Sequence, residues 1–398
     1  MGAATARPSQ LSRREFLAGA AAAVLQRRPQ RVVIIMCDGC GTDYLAASDM
    51  PTLSRWQRSG ISRTVRGGMP SVTNANNASI CCGTWPATHG ITGNSYFDGR
   101  TGQEAYMEAS NLLMAPTLFE RASRVGVKSA LLSSKKKTTT LLPRGADFVL
   151  TAEMPPAEWV ALLGPAPNIY SREINYWLMN IAIDLLKNRR ELGCLYVHTT
   201  DYPMHTWPPD APESREHLAR LDALLGEAEQ EAPDAAFLVT ADHGLNHKDR
   251  VWDLARACAN RGLTLRAAIS AERDAYLQHH GGFGGTSWIY LNRPSDAARA
   301  IRTLHELPGV EAVLSRIEAA RRFHLMPSRI GDLAVFGDLR TVFGELDGEE
   351  SRQLAATYRS HGSLHETDTP LVVHNAEGAP RAGSFTHNHD LARWLYTS

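Results

Sequence analysis

The sequence predicts an α/β protein: a doubly wound, mainly parallel sheet carrying a small α+β insertion. Three observations predict it. Short β-branched runs alternate with helical segments along most of the chain, the pattern of a sheet covered by helices on both faces. Three of those runs pass within three residues into an aspartate (Asp38, Asp201, Asp242), at the strand ends where such sheets form a ligand crevice. Between residues 251 and 323 the rhythm changes to closely spaced strands and helices. The implied division is a leader at 1–29, a core at 30–250 and 324–398, and a cap insertion at 251–323.

In the leader, Ser12-Arg13-Arg14-Glu15-Phe16-Leu17 precedes the apolar run Ala18 to Leu25 and then Gln26-Arg27-Arg28. That order is similar to a twin-arginine export signal read by the twin-arginine translocase, which implies a periplasmic or extracellular protein. The competing reading is a disordered basic arm on a cytoplasmic protein. Arg31 to Met36 contains Val-Val-Ile-Ile, a buried parallel strand that runs into Cys37-Asp38-Gly39. Gly39-Cys40-Gly41 half-imitates a dinucleotide fingerprint, but the third glycine and the later acidic residue are missing. Val127 to Ser133 is the second strand, followed by Ser134-Lys135-Lys136-Lys137. Asn175 to Lys187 is a helix with a broad apolar face formed by Trp177, Leu178, Ile181 and Leu185. Cys194 to His198 is the third strand and leads to Asp201. His217 to Glu231 is an amphipathic helix, and Ala236 to Thr240, the fourth strand, leads to Asp242-His243-Gly244. The insertion reads as a helix (Val251 to Asn260), strands near Leu265 and at Trp288 to Leu291, a helix (Ser295 to Leu307) and a strand (Val310 to Leu314). Leu333 to Phe336 is read as the return to the core.

Composition narrows the function. The 398 residues are 43% hydrophobic, enough for a large core. The 42 basic and 42 acidic residues balance, so no broad field draws in nucleic acid or an anionic membrane. Beyond the leader no apolar stretch approaches the roughly 18 residues of a membrane span, and no stable membrane association is expected. A small anionic substrate held by local charges suits this balance, and the composition allows a homodimer. The six cysteines form no regular framework and read as small buried residues.

The chemistry centres on Met69 to Asn94. Ser71 or Thr73 is positioned to cap a helix from Asn74 to Cys82 that ends at Gly83. Thr73 thereby holds a hydroxyl at a helix N-terminus, where phosphate-like anions are favoured. A threonine hydroxyl needs a base or a metal to become a nucleophile. Asp201 and His205 are four apart, so one helical turn puts both on one face, and Asp242 and His243 are adjacent. Carboxylates with imidazoles suit zinc or a similar divalent ion. His361 supplies a further imidazole, and with Asp38 and Thr73 the count of seven is enough for two ions sharing a phosphoryl group.

Cys-Asp-Gly at Asp38, Ser-Val-Thr-Asn at Thr73, Thr-Thr-Asp-Tyr-Pro-Met-His at Asp201 and His205, Ala-Asp-His-Gly at Asp242, and Ser-His-Gly at His361 resemble the alkaline phosphatase superfamily. They look most like its branch of type I phosphodiesterases, nucleotide pyrophosphatases and phosphonoacetate hydrolases. The resemblance implies an alkaline phosphatase-like core. It makes Asp201, His205 and His361 ligands of one Zn2+, and Asp38, Asp242, His243 and the Thr73 oxygen ligands of another. It makes Thr73 the nucleophile and Asn94 a donor to a phosphoryl oxygen.

Lysine is scarce, and Lys135, Lys137 and Lys248 resemble the substrate-carboxylate-binding lysines of phosphonoacetate hydrolases; Lys136 reads as solvated. The implied reaction is cleavage of the C–P bond of a phosphonoacetate-like substrate to acetate and phosphate through phosphothreonine. The alternatives are a phosphodiesterase or nucleotide pyrophosphatase on the same metals and, from another class, a non-catalytic metal-binding protein. His89 is expected to pack near its turn, His365 is the reserve for His361, His374 is given no functional role, and His387-Asn388-His389 reads as surface, with metal binding as the alternative.

Overall fold

The structure, a computed structural model, describes residues 30–397; the leader reading falls outside that range. A seven-stranded sheet forms the core, in the order Ile61–Arg66, Asp368–His374, Ala236–Thr240, Val32–Met36, Leu192–His198, Lys128–Ser133, Phe148–Thr151. The five strands from Ala236–Thr240 to Phe148–Thr151 are parallel, and Asp368–His374 runs antiparallel between Ala236–Thr240 and Ile61–Arg66. All four strands read from the sequence are present.

The central strand explains the double winding. All five residues of Val32–Met36 are buried. Successive side chains point to opposite faces, so Val33 and Ile35 enter one core and Val32, Ile34 and Met36 the other. The first core is covered by the helices Pro51–Ser59, Glu173–Asn188 and Pro212–Glu231, and the second by Thr73–Cys82, Leu118–Arg124 and Asp390–Arg393. Burial of both faces is why these strands read as continuous apolar runs without alternation.

The cap corrects two expectations. Its sheet has four antiparallel strands in the order Leu265–Ser270, Thr286–Leu291, Leu333–Gly337, Val310–Ser315. Leu333–Gly337 therefore does not return to the core; it lies between two cap strands, and the insertion runs past residue 323. Nor does a helix start at Val251. Arg250–Trp252 is a strand between Thr341–Phe343 and Ser351–Gln353, and the helix begins at Leu254, after Asp253 accepts the Arg256 N–H at 2.9 Å as its N-cap.

One face of the cap sheet packs its own helices around Ile289, Leu291, Leu333 and Val335. The other face, with Trp288, Ala334 and Phe336, packs on Met69, Val72 and Ala75 at the start of the Thr73–Cys82 helix. The cap is thus seated directly on the segment that carries Thr73. Among the described residues no helix is long and apolar enough to cross a membrane.

Candidate active site

Register brings three aspartates together. Met36 pairs with both His198 and Thr240 across adjacent parallel strands, so Asp38, Asp201 and Asp242 emerge side by side at one sheet edge, two or three residues later. Gly39 is required at this edge. Its φ is +71°, and a Cβ there would stand 2.9 Å from the Asp201 Cβ. Its N–H donates to Asp242 Oδ1 at 3.0 Å, as does that of His243, while Thr199 Oγ1 accepts from the Asp38 N–H.

Two buried trios result: Asp201, His205 and His361, and Asp38, Asp242 and His243, each with its ligand atoms within 4.8 Å of one another. His205 comes from the short helix Tyr202–Thr206, whose turn places it beside Asp201, with Nε2 3.3 Å from Oδ2. Each imidazole is oriented by a backbone carbonyl at Nδ1: Arg359 for His205 and Ser71 for His361, both at 2.8 Å, and Gly244 for His243 at 3.1 Å. A proton fixed at Nδ1 leaves the Nε2 lone pair for a metal. His205 Nε2, His361 Nε2, Asp38 Oδ1 and Asp242 Oδ2 are buried without hydrogen-bond partners. Orphaned acceptors in such number are costly, and the donor set fits divalent metal ions. Burial holds the His243 and His361 imidazoles down to about 3, each pushed further by a neighbouring imidazole. Burial and the neighbouring carboxylates push Asp242 well above the usual carboxylate range. Burial acts the same way on Asp38 and Asp201, but the Lys135 ammonium together with the neighbouring imidazoles, His198 at Asp38 and His205 at Asp201, outweighs it and holds both low.

The nucleophile candidate is at the right helix end, in a different role from the one expected. The N-cap of Thr73–Cys82 is Val72, with no side-chain cap. Thr73 is the first helical residue, and its Oγ1 lies 3.5 Å from His243 Nε2. Ser71 does not cap either, because its Oγ donates to the Ser363 carbonyl and accepts from the Gly362 N–H, binding the His361 loop instead. Asn94 joins the site as a brace. Its Oδ1 accepts the Asn74 N–H at 2.9 Å, and its Nδ2 donates to the Glu272 carbonyl at 3.0 Å.

The lysines divide. Lys135 Nζ lies 2.7 Å from Asp38 Oδ2 and 2.6 Å from Asp201 Oδ1, between the trios. Lys137, equally buried, pairs with Asp274, and Lys136 is exposed, as expected. Lys248 is not brought to the trios. Its ammonium is spent on Glu366 Oε1 at 2.7 Å and the Leu339 carbonyl at 3.1 Å. Glu366 in turn receives the Ser363 N–H and hydroxyl, so Lys248 buttresses the loop that carries His361. His365 pairs with Glu311 on the half-exposed surface and is no metal-ligand reserve. His89 is buried against Ser79 and the Ile91 N–H, near its turn as expected. His389 is buried rather than at the surface, stacked on His387 and edge-on to Trp85.

Sequence reasoning missed four side chains here. His198 Nε2 approaches Asp38 Oδ2 at 3.1 Å. From the cap loop, Glu272 Oε1 stands 3.1 Å from His361 Nε2, and His280 Nε2 stands 3.2 Å from Asp274 Oδ1. The available signal was the in–out alternation of Glu272-Arg273-Asp274 ahead of His279-His280.

Paired acid–imidazole trios at the strand ends of a doubly wound sheet, with a helix-start hydroxyl beside one of them, place the chain in the alkaline phosphatase superfamily. The chain belongs to the type I phosphodiesterase / nucleotide pyrophosphatase family, whose model matches residues 32–364. Its structure is similar to phosphonoacetate hydrolase from Sinorhizobium meliloti 1021. The match to the phosphonoformate complex has a TM-score of 0.82 and 31% identity, covering 92% of this chain and 95% of that one. The phosphonoacetate complex matches at 0.81 and 30%, covering 93% and 97%. Curated relatives include an uncharacterized pyrophosphatase/phosphodiesterase of Schizosaccharomyces pombe, 26% identical over 49% of this chain and 39% of that protein. A bis(5'-adenosyl)-triphosphatase of Bos taurus is 23% identical over 57% and 50%. The matches thus span half or less of the length of these two relatives.

Proposed function

We propose that the protein is a two-zinc hydrolase that cleaves the C–P bond of phosphonoacetate-like substrates, giving acetate and phosphate. The observation that carries this reading is the pair of buried ammoniums delivered from one turn, Lys135 between the trios on Asp38 and Asp201 and Lys137 on Asp274 of the cap loop. A carboxylate one carbon from phosphorus needs such fixed positive charge, and an ordinary phosphodiester does not.

Bound zinc would lower the pKa of the Thr73 hydroxyl and neutralise phosphoryl oxygens; Asp201, His205 and His361 would hold one ion, and Asp38, Asp242, His243 and Thr73 Oγ1 the other. Thr73 Oγ1 attacks phosphorus and the C–P bond breaks. The departing carbon keeps the electron pair, which delocalises into the adjacent carboxylate as an enolate. Lys135 and Lys137 stabilise the negative charge that develops there. The proton that the Thr73 hydroxyl loses on attack passes through solvent to that carbon, and one water then hydrolyses phosphothreonine and restores the hydroxyl, so substrate plus water gives acetate plus phosphate. The helix start that carries Thr73 is fixed by Asn94 and by the cap sheet, which limits motion of the nucleophile.

A second reading, hydrolysis of phosphodiesters or pyrophosphates, is supported by the family match and by the names of the curated relatives. Phosphate release from phosphonoacetate, measured beside turnover of an aryl phosphodiester with and without chelator, separates the two. Chelator-sensitive phosphate release from phosphonoacetate is expected; if only the diester is turned over, the second reading replaces the first. The leader motif supports export by the twin-arginine route. A reporter fused to residues 1–35 should leave the cytoplasm, and replacement of Arg13 and Arg14 by lysine should stop it; export unaffected by that change would remove the reading.

A further inference from the structure

The cap loop between Leu265–Ser270 and Thr286–Leu291 reaches the core at the turn that carries the lysines. Lys136 is the first residue of the helix Lys136–Leu141, and Lys135 before it is extended. A helix start leaves its first N–H groups without partners inside the helix. Here the Lys136 N–H is shared by two acceptors, both at 3.0 Å: Glu153 Oε1, just past the core edge strand Phe148–Thr151, and Tyr276 Oη of the cap loop. The Tyr276 hydroxyl in turn donates to Glu153 Oε1 at 2.9 Å. The three groups close a ring of hydrogen bonds around one backbone position, with Lys135 and Lys137 on either side of it.

Tyr276 is itself held. It is buried, and its N–H donates to Asp274 Oδ1 at 2.7 Å, while the other oxygen of Asp274 carries the Lys137 ammonium. The Tyr276 ring centre lies 5.7 Å from Lys137 Nζ. The ring is 5.8 Å from the His279 imidazole and 10° from parallel to it, and His279 stacks on His205 of the first trio at 5.7 Å and 7°. One tyrosine therefore meets the lysine turn through its hydroxyl, the partner of Lys137 through its backbone, and the first trio through a stack of rings. The mechanism above uses none of these contacts.

We propose that Tyr276 is a positioning residue for the substrate carboxylate: its hydroxyl fixes the 135–137 turn against the cap and so sets where both ammoniums stand. The assignment rests on the reading of the substrate as a carboxylate-bearing phosphonate. An ammonium on a four-carbon stem is a mobile point charge, and electrostatic stabilisation needs that charge fixed before the reaction. The far ends of the two stems are fixed by carboxylates, Lys135 on Asp38 and Asp201 and Lys137 on Asp274. The clasp of Tyr276 and Glu153 fixes the near end, the backbone from which both stems start. Glu153 ties that backbone to the core, and Tyr276 makes the cap part of the same geometry.

The test compares two anions that differ in the carboxylate, phosphonoacetate and methylphosphonate. Binding is measured by isothermal titration calorimetry on the zinc-loaded full chain carrying Thr73→Ala, so that turnover does not consume the ligand. That chain should bind phosphonoacetate more tightly by about tenfold or more, the worth of a charge-assisted contact. Tyr276→Phe, which keeps the ring, should weaken phosphonoacetate about three- to tenfold, one hydrogen bond's share. Methylphosphonate affinity and zinc content should stay as they were. Lys136→Pro reaches the same contact from the other side: proline is tolerated at a first helical position, has no N–H, and displaces both acceptors. It should give the same selective loss, and adding Tyr276→Phe to it should cost nothing more, because both act on one bond. Lys136→Ala, which deletes only a solvated side chain, should match the parent. Circular dichroism checks folding, and if one of the two variants fails to fold the other decides. A preference for phosphonoacetate that survives in full, or equal weakening of both anions, overturns the role of Tyr276. A parent chain without the preference overturns the carboxylate reading itself, and the role with it.

Discussion

The imidazoles of His243 and His361 stack, with ring centroids 3.6 Å apart and planes 14° from parallel. One belongs to each trio, so the two groups share a wall and are not independent. Removing either ring opens a cavity against the other and frees it to rotate from its carbonyl anchor. His361→Ala should therefore weaken metal binding at both trios, whereas His205→Ala should weaken chiefly its own. Competitive titration against a chromophoric chelator measures this. Loss of a positioned ligand is expected to cost at least the 10- to 100-fold in affinity typical of outer partners, with a second affected phase only in His361→Ala.

Thr73 contributes one oxygen near His243 and no helix cap. Thr73→Ala should consequently leave the fold, the melting temperature and most bound metal unchanged while lowering turnover by about a thousandfold or more. Turnover within about tenfold of the parent would mean that a water and not Thr73 attacks phosphorus.

The strand-end aspartates were legible because they are set by local facts: an apolar run, its end, and a parallel register that aligns Met36, His198 and Thr240. What was not legible depends on partners distant in sequence. Leu333–Gly337 is an ordinary β-run, and nothing in its residues states that its neighbours are Thr286–Leu291 and Val310–Ser315 in the cap and not core strands. Lys248 looked free because Glu366, its partner, lies 118 positions away. Glu272 and Asp274 resemble any pair of turn carboxylates until the cap buries them. Ser71 has cap chemistry, but Ser363 and Gly362 from the far end of the chain outcompete the helix for its hydroxyl.

Lys137 and Lys248 should now separate. Lys137→Ala leaves Asp274 buried without its ammonium and so should also lower stability, but it should in addition slow phosphonoacetate turnover far more than that of an uncharged aryl ester. A lost charge-assisted contact costs roughly 1.5–3 kcal/mol, or about ten- to more than a hundredfold. Lys248→Ala leaves Glu366 buried without its cation, an error that typically costs about 3–5 kcal/mol of stability. It should lower the denaturation midpoint and affect both substrates in parallel through the His361 loop. Equal selectivity changes in the two variants would contradict the division.

Acid sensitivity should come partly from histidines remote from the metal groups. His89 and His217 are fully buried, and burial pushes both imidazoles down to about 3. His89 is held as a neutral ring because Nδ1 accepts the Ile91 N–H at 3.1 Å, while Nε2 meets Ser79 Oγ at 2.8 Å. In the unfolded chain both rings titrate near the ordinary value of about 6.5. Below that pH the unfolded state binds protons that the folded state refuses, so stability is full above about 6.5 and falls as pH drops towards 3. Each histidine contributes up to about 1.4 kcal/mol per pH unit in that window. Urea unfolding between pH 7 and pH 4, done with chelator present to remove metal linkage, should show this slope. His217→Phe should reduce it by roughly one histidine's share, since His217 gives up one hydrogen bond, to Tyr176 Oη at 2.9 Å, and a phenyl ring keeps the packing on Tyr176. A slope unchanged in His217→Phe would mean that this ring is protonated in the folded protein.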